Sequence, residues 1–227
     1  MLTAHRLPIG FLVVAFLTLS STPSAWPQEN WPRFRGADAT GVVPDDPRLP
    51  DTWDTEKNVQ WKTTIPGWGW GSPIVWGDRV FVSSVHSDDE YERPKEGLYL
   101  GQGVRTAPDS VHHWMVYCLS LQTGDVLWKH EAHVGKPTMP RHPKSTYASE
   151  TPTTDGKRLY VLFGDVGMYC YDFDGQQLWT HPIEAKKTFF DYGPAASPVV
   201  QGENVIMVYD NQEASYIASL DGATGEL

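Results

Sequence analysis

A motif that recurs three times between residues 72 and 227 restricts the fold of this chain more than any other feature. The first copy reads Ser72-Pro73-Ile74-Val75, Gly77-Asp78-Arg79, Val80-Phe81-Val82. After an interruption it resumes as Tyr117-Cys118-Leu119-Ser120-Leu121 and ends Thr123-Gly124-Asp125-Val126-Leu127-Trp128. The second copy runs Thr151-Pro152-Thr153-Thr154, Asp155-Gly156-Lys157, Leu159-Tyr160-Val161-Leu162-Phe163. It then reads Tyr169-Cys170-Tyr171 and closes Asp174-Gly175-Gln176-Gln177-Leu178-Trp179. The third copy contains Ser197-Pro198-Val199-Val200, Gly202-Glu203-Asn204, Val205-Ile206-Met207-Val208-Tyr209, Tyr216-Ile217-Ala218 and Thr224-Gly225-Glu226-Leu227.

Each copy predicts four short antiparallel strands. Proline is tolerated where a strand opens, because its missing donor is not needed there. A glycine-containing pair then supplies the positive φ of a tight hairpin. The second strand is apolar on successive rather than alternate residues, which requires burial on both faces. A four-stranded sheet cannot bury two apolar faces alone, and a radial array of such sheets can. The expected fold is therefore all-β, a β-propeller of four-stranded antiparallel blades. Trp128 and Trp179, at equivalent blade ends, are expected to fill the wedges between neighbouring blades, since Trp is large and flat and its N–H can find a carbonyl. A content of 10 Trp and 20 Gly suits this architecture. Asn58-Val59-Gln60-Trp61-Lys62 reads as a fourth strand without its first three. The third copy stops two residues short of its own Trp. About three blades of an incomplete ring are expected, with Trp61 in the closing blade. Residues 86–113 interrupt the first copy and read either as a long surface loop or as a disordered segment.

The order Ser-Pro, apolar pair, Gly-Asp, Val-Phe-Val, Tyr, Leu-x-Thr-Gly-x-x-Leu-Trp resembles the repeat of the quinoprotein (PQQ-like) β-propellers. Asn30-Trp31-Pro32-Arg33-Phe34-Arg35-Gly36 is similar to the start of mature secreted bacterial members. The resemblance implies an eight-bladed ring when complete. It leaves two functional classes, quinone-dependent dehydrogenases and non-enzymatic propellers that bind other proteins. It associates the dehydrogenases with adjacent cysteines beside the quinone, an acidic and amide set holding calcium, and a Trp under the cofactor. This chain has only Cys118 and Cys170, at equivalent positions of neighbouring copies. Asp191, Asp210 and Asn211 are oxygen donors without a distinguishing spacing. The expectation is a binding or scaffold module with no catalytic residues, no cofactor and no metal site. The alternative is a quinone (PQQ)-dependent dehydrogenase propeller, holding PQQ with calcium, whose ligands lie partly downstream.

The N-terminus supplies the compartment. Arg6, the apolar run from Leu7 to Leu19 and the small residues to Ala25 read as a signal peptide over residues 1–25. An extended segment, 26–57, then leads into the repeats, 58–227. The protein is expected to be secreted or periplasmic and to lack a membrane span. A net charge of -10 disfavours nucleic acid as a partner. His112, His113, His130, His133 and His142 lack metal-ligand spacing. Loops joining one blade to the next converge on one face of a ring. Those spanning 66–72, 138–150 and 186–196 carry Trp68, Trp70, Arg141, Tyr147, Phe190 and Tyr192. Aromatic and polar groups on a concave face suit a protein, peptide or small-molecule partner; the alternative is that they plug the mouth of the ring.

Overall fold

The computed structural model describes residues 30–89, 93–97 and 105–227. The signal-peptide reading of residues 1–25 lies outside them. Eleven strands form three antiparallel sheets among the described residues. The first contains β1 (Ile74–Trp76), β2 (Arg79–Ser87), β3 (His112–Ser120) and β4 (Val126–Gly135), paired in chain order. The second repeats that order with β5 (Thr153–Thr154), β6 (Arg158–Phe163), β7 (Gly167–Asp172) and β8 (Gln177–Pro182). The third has three strands, β9 (Val199–Gln201), β10 (Asn204–Tyr209) and β11 (Tyr216–Asp221).

Stacking of the sheets explains the apolar doublets. On β2, Phe81 points into a core shared with Leu159, Val161 and Tyr171 of the second sheet. Its neighbour Val80 points the other way, into a cluster with Met115, Tyr117 and Leu119 against which Ile65 packs. On β6, Leu159 faces the first sheet, whereas Tyr160 and Leu162 face Val205, Met207 and Tyr209 of the third. Among the described residues the third sheet has a neighbouring sheet on one side only. Accordingly β10 buries Val205, Met207 and Tyr209 and exposes Val208.

Two sequence boundaries shift. Strands β2 and β3 extend to Ser87 and from His112, so the long connection covers 88–111 rather than 86–113. The register of the third copy also differs from a simple reading of its tyrosine. Met207 pairs with Ala218 as Val82 pairs with Tyr117 and Val161 with Tyr169. Tyr216 instead opens β11 opposite Tyr209.

Three tryptophans repeat one arrangement. Trp61 Nε1 donates to Leu121 O at 2.8 Å, Trp128 Nε1 to Phe173 O at 2.9 Å, and Trp179 Nε1 to Gly222 O at 3.0 Å. Each indole lies against a glycine of the same turn, Gly124, Gly175 or Gly225, where a Cβ would come within 2.5, 2.9 or 2.6 Å of the ring. All three glycines have positive φ, so both backbone and contact exclude a side chain there. Trp61 thus sits on the first sheet as Trp128 sits on the second. The N-terminal segment crosses the opposite edge. Trp31 bridges Val75 on β1 by two backbone bonds, and Pro32 O accepts from Thr154 N–H on β5.

Candidate functional site

Three loops, the one before β1 and the two that join successive sheets, meet on one face; residues 58–62, expected as a strand, form none. Trp70 N–H donates to Ala148 O at 2.9 Å and its indole to Lys144 O at 2.6 Å, tying the loop before β1 to the loop after β4. His142 N–H reaches Tyr192 O at 3.1 Å, and Thr151 N–H reaches Ser197 Oγ at 2.9 Å, tying the second loop to the third. Polar backbone outside strands needs such partners, and here the partners come from neighbouring loops.

The six residues singled out from sequence occupy this face in two roles. Arg141 is buried; its guanidinium donates to Ser145 O and His142 O and lies 5.6 Å from the centre of the Tyr147 ring. Tyr147 is half-buried and donates to Met139 O. Trp68 is held by backbone bonds to Val85 on β2. These three brace the face. Trp70 is exposed, as are Phe190 (61 %) and Tyr192 (39 %), joined by Phe189 (64 %). The rings of Phe189, Phe190 and Tyr192 touch in series, with centroids 4.2 and 5.7 Å apart, and Tyr192 meets His142 edge-on. Phe190 and Asp191 both adopt left-handed backbone, at φ 51° and 56°.

Beneath the face a cavity of about 340 Å³ opens between the first and second sheets. Trp114, Tyr147, Met139 and Ile183 supply apolar wall, and Asp165 supplies a carboxyl. His133 stands edge-on to Trp114, and burial lowers its affinity for a proton. Asp165 lies in the β6–β7 turn. Burial pushes its pKa up to about 6, against a hydrogen bond from the Tyr209 hydroxyl that lowers it. Behind it Glu150 is fully buried, and desolvation pushes its pKa up to about 8. Gly164 N–H and Ser149 N–H donate to its two oxygens at 3.1 and 3.2 Å. A Cβ on Gly164 would strike Pro194 at 2.4 Å, so glycine is needed for this approach.

Sequence reading missed Trp114, His133, Glu150 and Asp165 as a set. Asp165 does stand out as an acid one glycine beyond the apolar run Leu159–Phe163, but only the stacked third sheet brings Tyr209 to it. Among the described residues no group of three or more His, Cys, Asp or Glu side chains converges to hold a metal ion. Cys118 and Cys170 are free and buried in β3 and β7. Asp210 and Asn211 make local bonds around the β10–β11 turn, apart from Asp191.

A family model described as outer membrane protein assembly factor BamB matches residues 113–227. Among solved structures, a quinohemoprotein alcohol dehydrogenase from Pseudomonas putida HK5 is 18 % identical, over 87 % of this chain and 26 % of that one, with a TM-score of 0.53. A europium-containing methanol dehydrogenase is 14 % identical over 70 % of this chain and 25 % of that one, at a TM-score of 0.43. BamB from Moraxella catarrhalis is 14 % identical over 75 % of this chain and 54 % of that one, at 0.35. No curated protein matches. The chain spans about a quarter of the length of the alcohol dehydrogenase, and the likeness is one of fold.

Proposed function

The chain belongs to the PQQ-like repeat family of β-propellers, and on that premise we propose that it is an exported binding or scaffold module whose loop face meets a protein or peptide partner. The observation that carries this reading is the exposed ridge of Phe189, Phe190 and Tyr192. Two consecutive non-glycine residues there hold left-handed backbone. That conformation costs on the order of 1–2 kcal/mol per residue, and the Phe190 ring stays 61 % exposed, so burial among the described residues returns little of it. Strain of this kind at an exposed aromatic cluster points to recognition. The description of the matching family model, an assembly factor, also supports action on other proteins.

The alternative is a PQQ-dependent dehydrogenase. The described residues do not fit the donor set that reading needs. The two cysteines lie on separate sheets, and no acidic cluster converges on a cation.

The test compares the exported chain with a Phe190→Ser/Tyr192→Ser variant in the same host. Co-purifying envelope proteins should be depleted at least tenfold from the variant at equal yield. Equal recovery by both proteins contradicts the loop face as the binding surface. Titration with PQQ and calcium, read by fluorescence and by dye reduction with alcohols, addresses the alternative. Saturable binding with substrate-dependent dye reduction would favour it.

A further inference from the structure

Asp165 is a largely buried carboxyl whose hydrogen-bond partner is a neutral hydroxyl, that of Tyr209 at 3.1 Å; among the described residues no cation pairs with it. A buried carboxylate without a cation is costly, and a ligand that supplies one recovers the loss. The nearby cations are engaged elsewhere. The Lys136 ammonium, at the cavity wall, bonds Asp109 at 2.6 Å, and Arg141 donates to Ser145 O and His142 O. The lining also includes the apolar side chains of Trp114, Tyr147, Met139 and Ile183, and Glu184, whose carboxylate pairs with Lys186 at 2.9 Å. Aromatic faces attract cations once these are desolvated, and an aliphatic arm of about four carbons fits such walls. Neutral His133 adds no competing charge.

We infer that the cavity between the first and second sheets binds an alkylammonium group, with its charge met by Asp165 and its alkyl arm lying between Trp114, Tyr147 and Ile183. The group is either a free amine or the side chain of a lysine in a partner, and the second case rests on the loop-face reading above.

The test is calorimetric titration of the full chain with three probes: Nα-acetyl-lysine methylamide, n-butylamine and Nα-acetyl-norleucine methylamide. Saturable binding of a cationic probe, at least tenfold tighter than the neutral norleucine probe, is expected. The lysine probe binding more tightly than butylamine assigns the site to a partner side chain, and the reverse assigns it to a free amine. Asp165→Asn, near-isosteric and checked by thermal melting, should bring the cationic probes to the norleucine level. If that variant does not fold, the comparison of lysine with norleucine on the unmodified chain decides alone. Equal binding of charged and neutral probes, no saturable binding of either cation, or unchanged binding by a folded Asp165→Asn overturns the proposal. Partner capture that survives Asp165→Asn while no amine binds would sink the cavity alone. Amine binding with no dependence of capture on Phe190 and Tyr192 would sink the loop-face reading alone.

Discussion

Tyr209, on the third sheet, donates its hydroxyl hydrogen bond at 3.1 Å to Asp165 in the β6–β7 turn of the second. The same hydroxyl accepts from Lys186 N–H at 2.6 Å in the loop that leads to the third sheet. One side chain thus fixes the turn that carries the cavity carboxyl and the loop that carries the aromatic ridge. Stacking of blades and shaping of the loop face are here the same contact.

The buried carboxyls make stability depend on pH. Glu150 and Asp165 have folded-state pKa values raised to about 8 and about 6, from ordinary values of 4.5 and 3.8. The native state therefore holds more protons than the unfolded chain between those limits, and stability falls as pH rises through them. Their contribution is complete below about pH 4 and lost by about pH 8. Glu150→Gln should flatten the melting temperature between pH 5 and 8. Its absolute stability at pH 5 should be lower, because an amide nitrogen cannot accept from Ser149 N–H. Melting curves across that range check both statements. A Glu150→Gln variant with the parent's pH slope would contradict them.

Trp179→Ala and Trp128→Ala should each cost about 3–5 kcal/mol, the range for large core aromatics. Gly225→Ala should be worse than Gly202→Ala. Both glycines have positive φ, but a Cβ at 225 meets the Trp179 ring at 2.6 Å, whereas one at 202 meets nothing within 4 Å. The second change carries only the backbone penalty of about 1–2 kcal/mol. Equal denaturation midpoints for the two alanine variants would refute the indole-on-glycine contact.

Cys118 and Cys170 should be inert in the native state. Both are fully buried, and burial pushes each thiol up to about 12, far from thiolate at neutral pH. A thiol reagent should label neither until denaturant is added and then label both. Rapid native labelling would show that the sheets separate.

Phe190→Gly should leave stability unchanged or raise it, because glycine accepts φ 51° freely and the lost ring is mostly exposed. The same change should weaken partner capture. A loss of more than about 1 kcal/mol would mean the ring is structural, against the usual range for surface changes.

The sheets were legible in the sequence because their signals are local. Pro73 and Pro152 mark the strand openings, Gly77, Gly156 and Gly202 the first turns, and Trp128 and Trp179 the last strands. The loop face was legible one step later, since loops after fourth strands must share a side once the sheets stack. The division of labour within that face was not legible. Arg141 and Trp70 look equally available in sequence, yet Arg141 is buried and braced by its own loop while Trp70 is exposed. The cavity was missed because its chemistry is assembled from β3, β4, the β6–β7 turn and β10. No spacing along the chain joins Trp114, His133, Asp165 and Tyr209. The third register also escaped, because Tyr216 imitates Tyr117 and Tyr169 in composition but not in pairing.

Contact with the partner at the loop face, and not at the outer strands, can be read by crosslinking. Photo-crosslinking in the exporting host tests it most directly, with benzoylphenylalanine placed at Phe190 in one protein and at the exposed Leu127 of β4 in another. A discrete, reproducible adduct is expected from position 190 and none of comparable yield from position 127. Equal adducts from both positions, or none from position 190 when the protein is exported and folded, would contradict it.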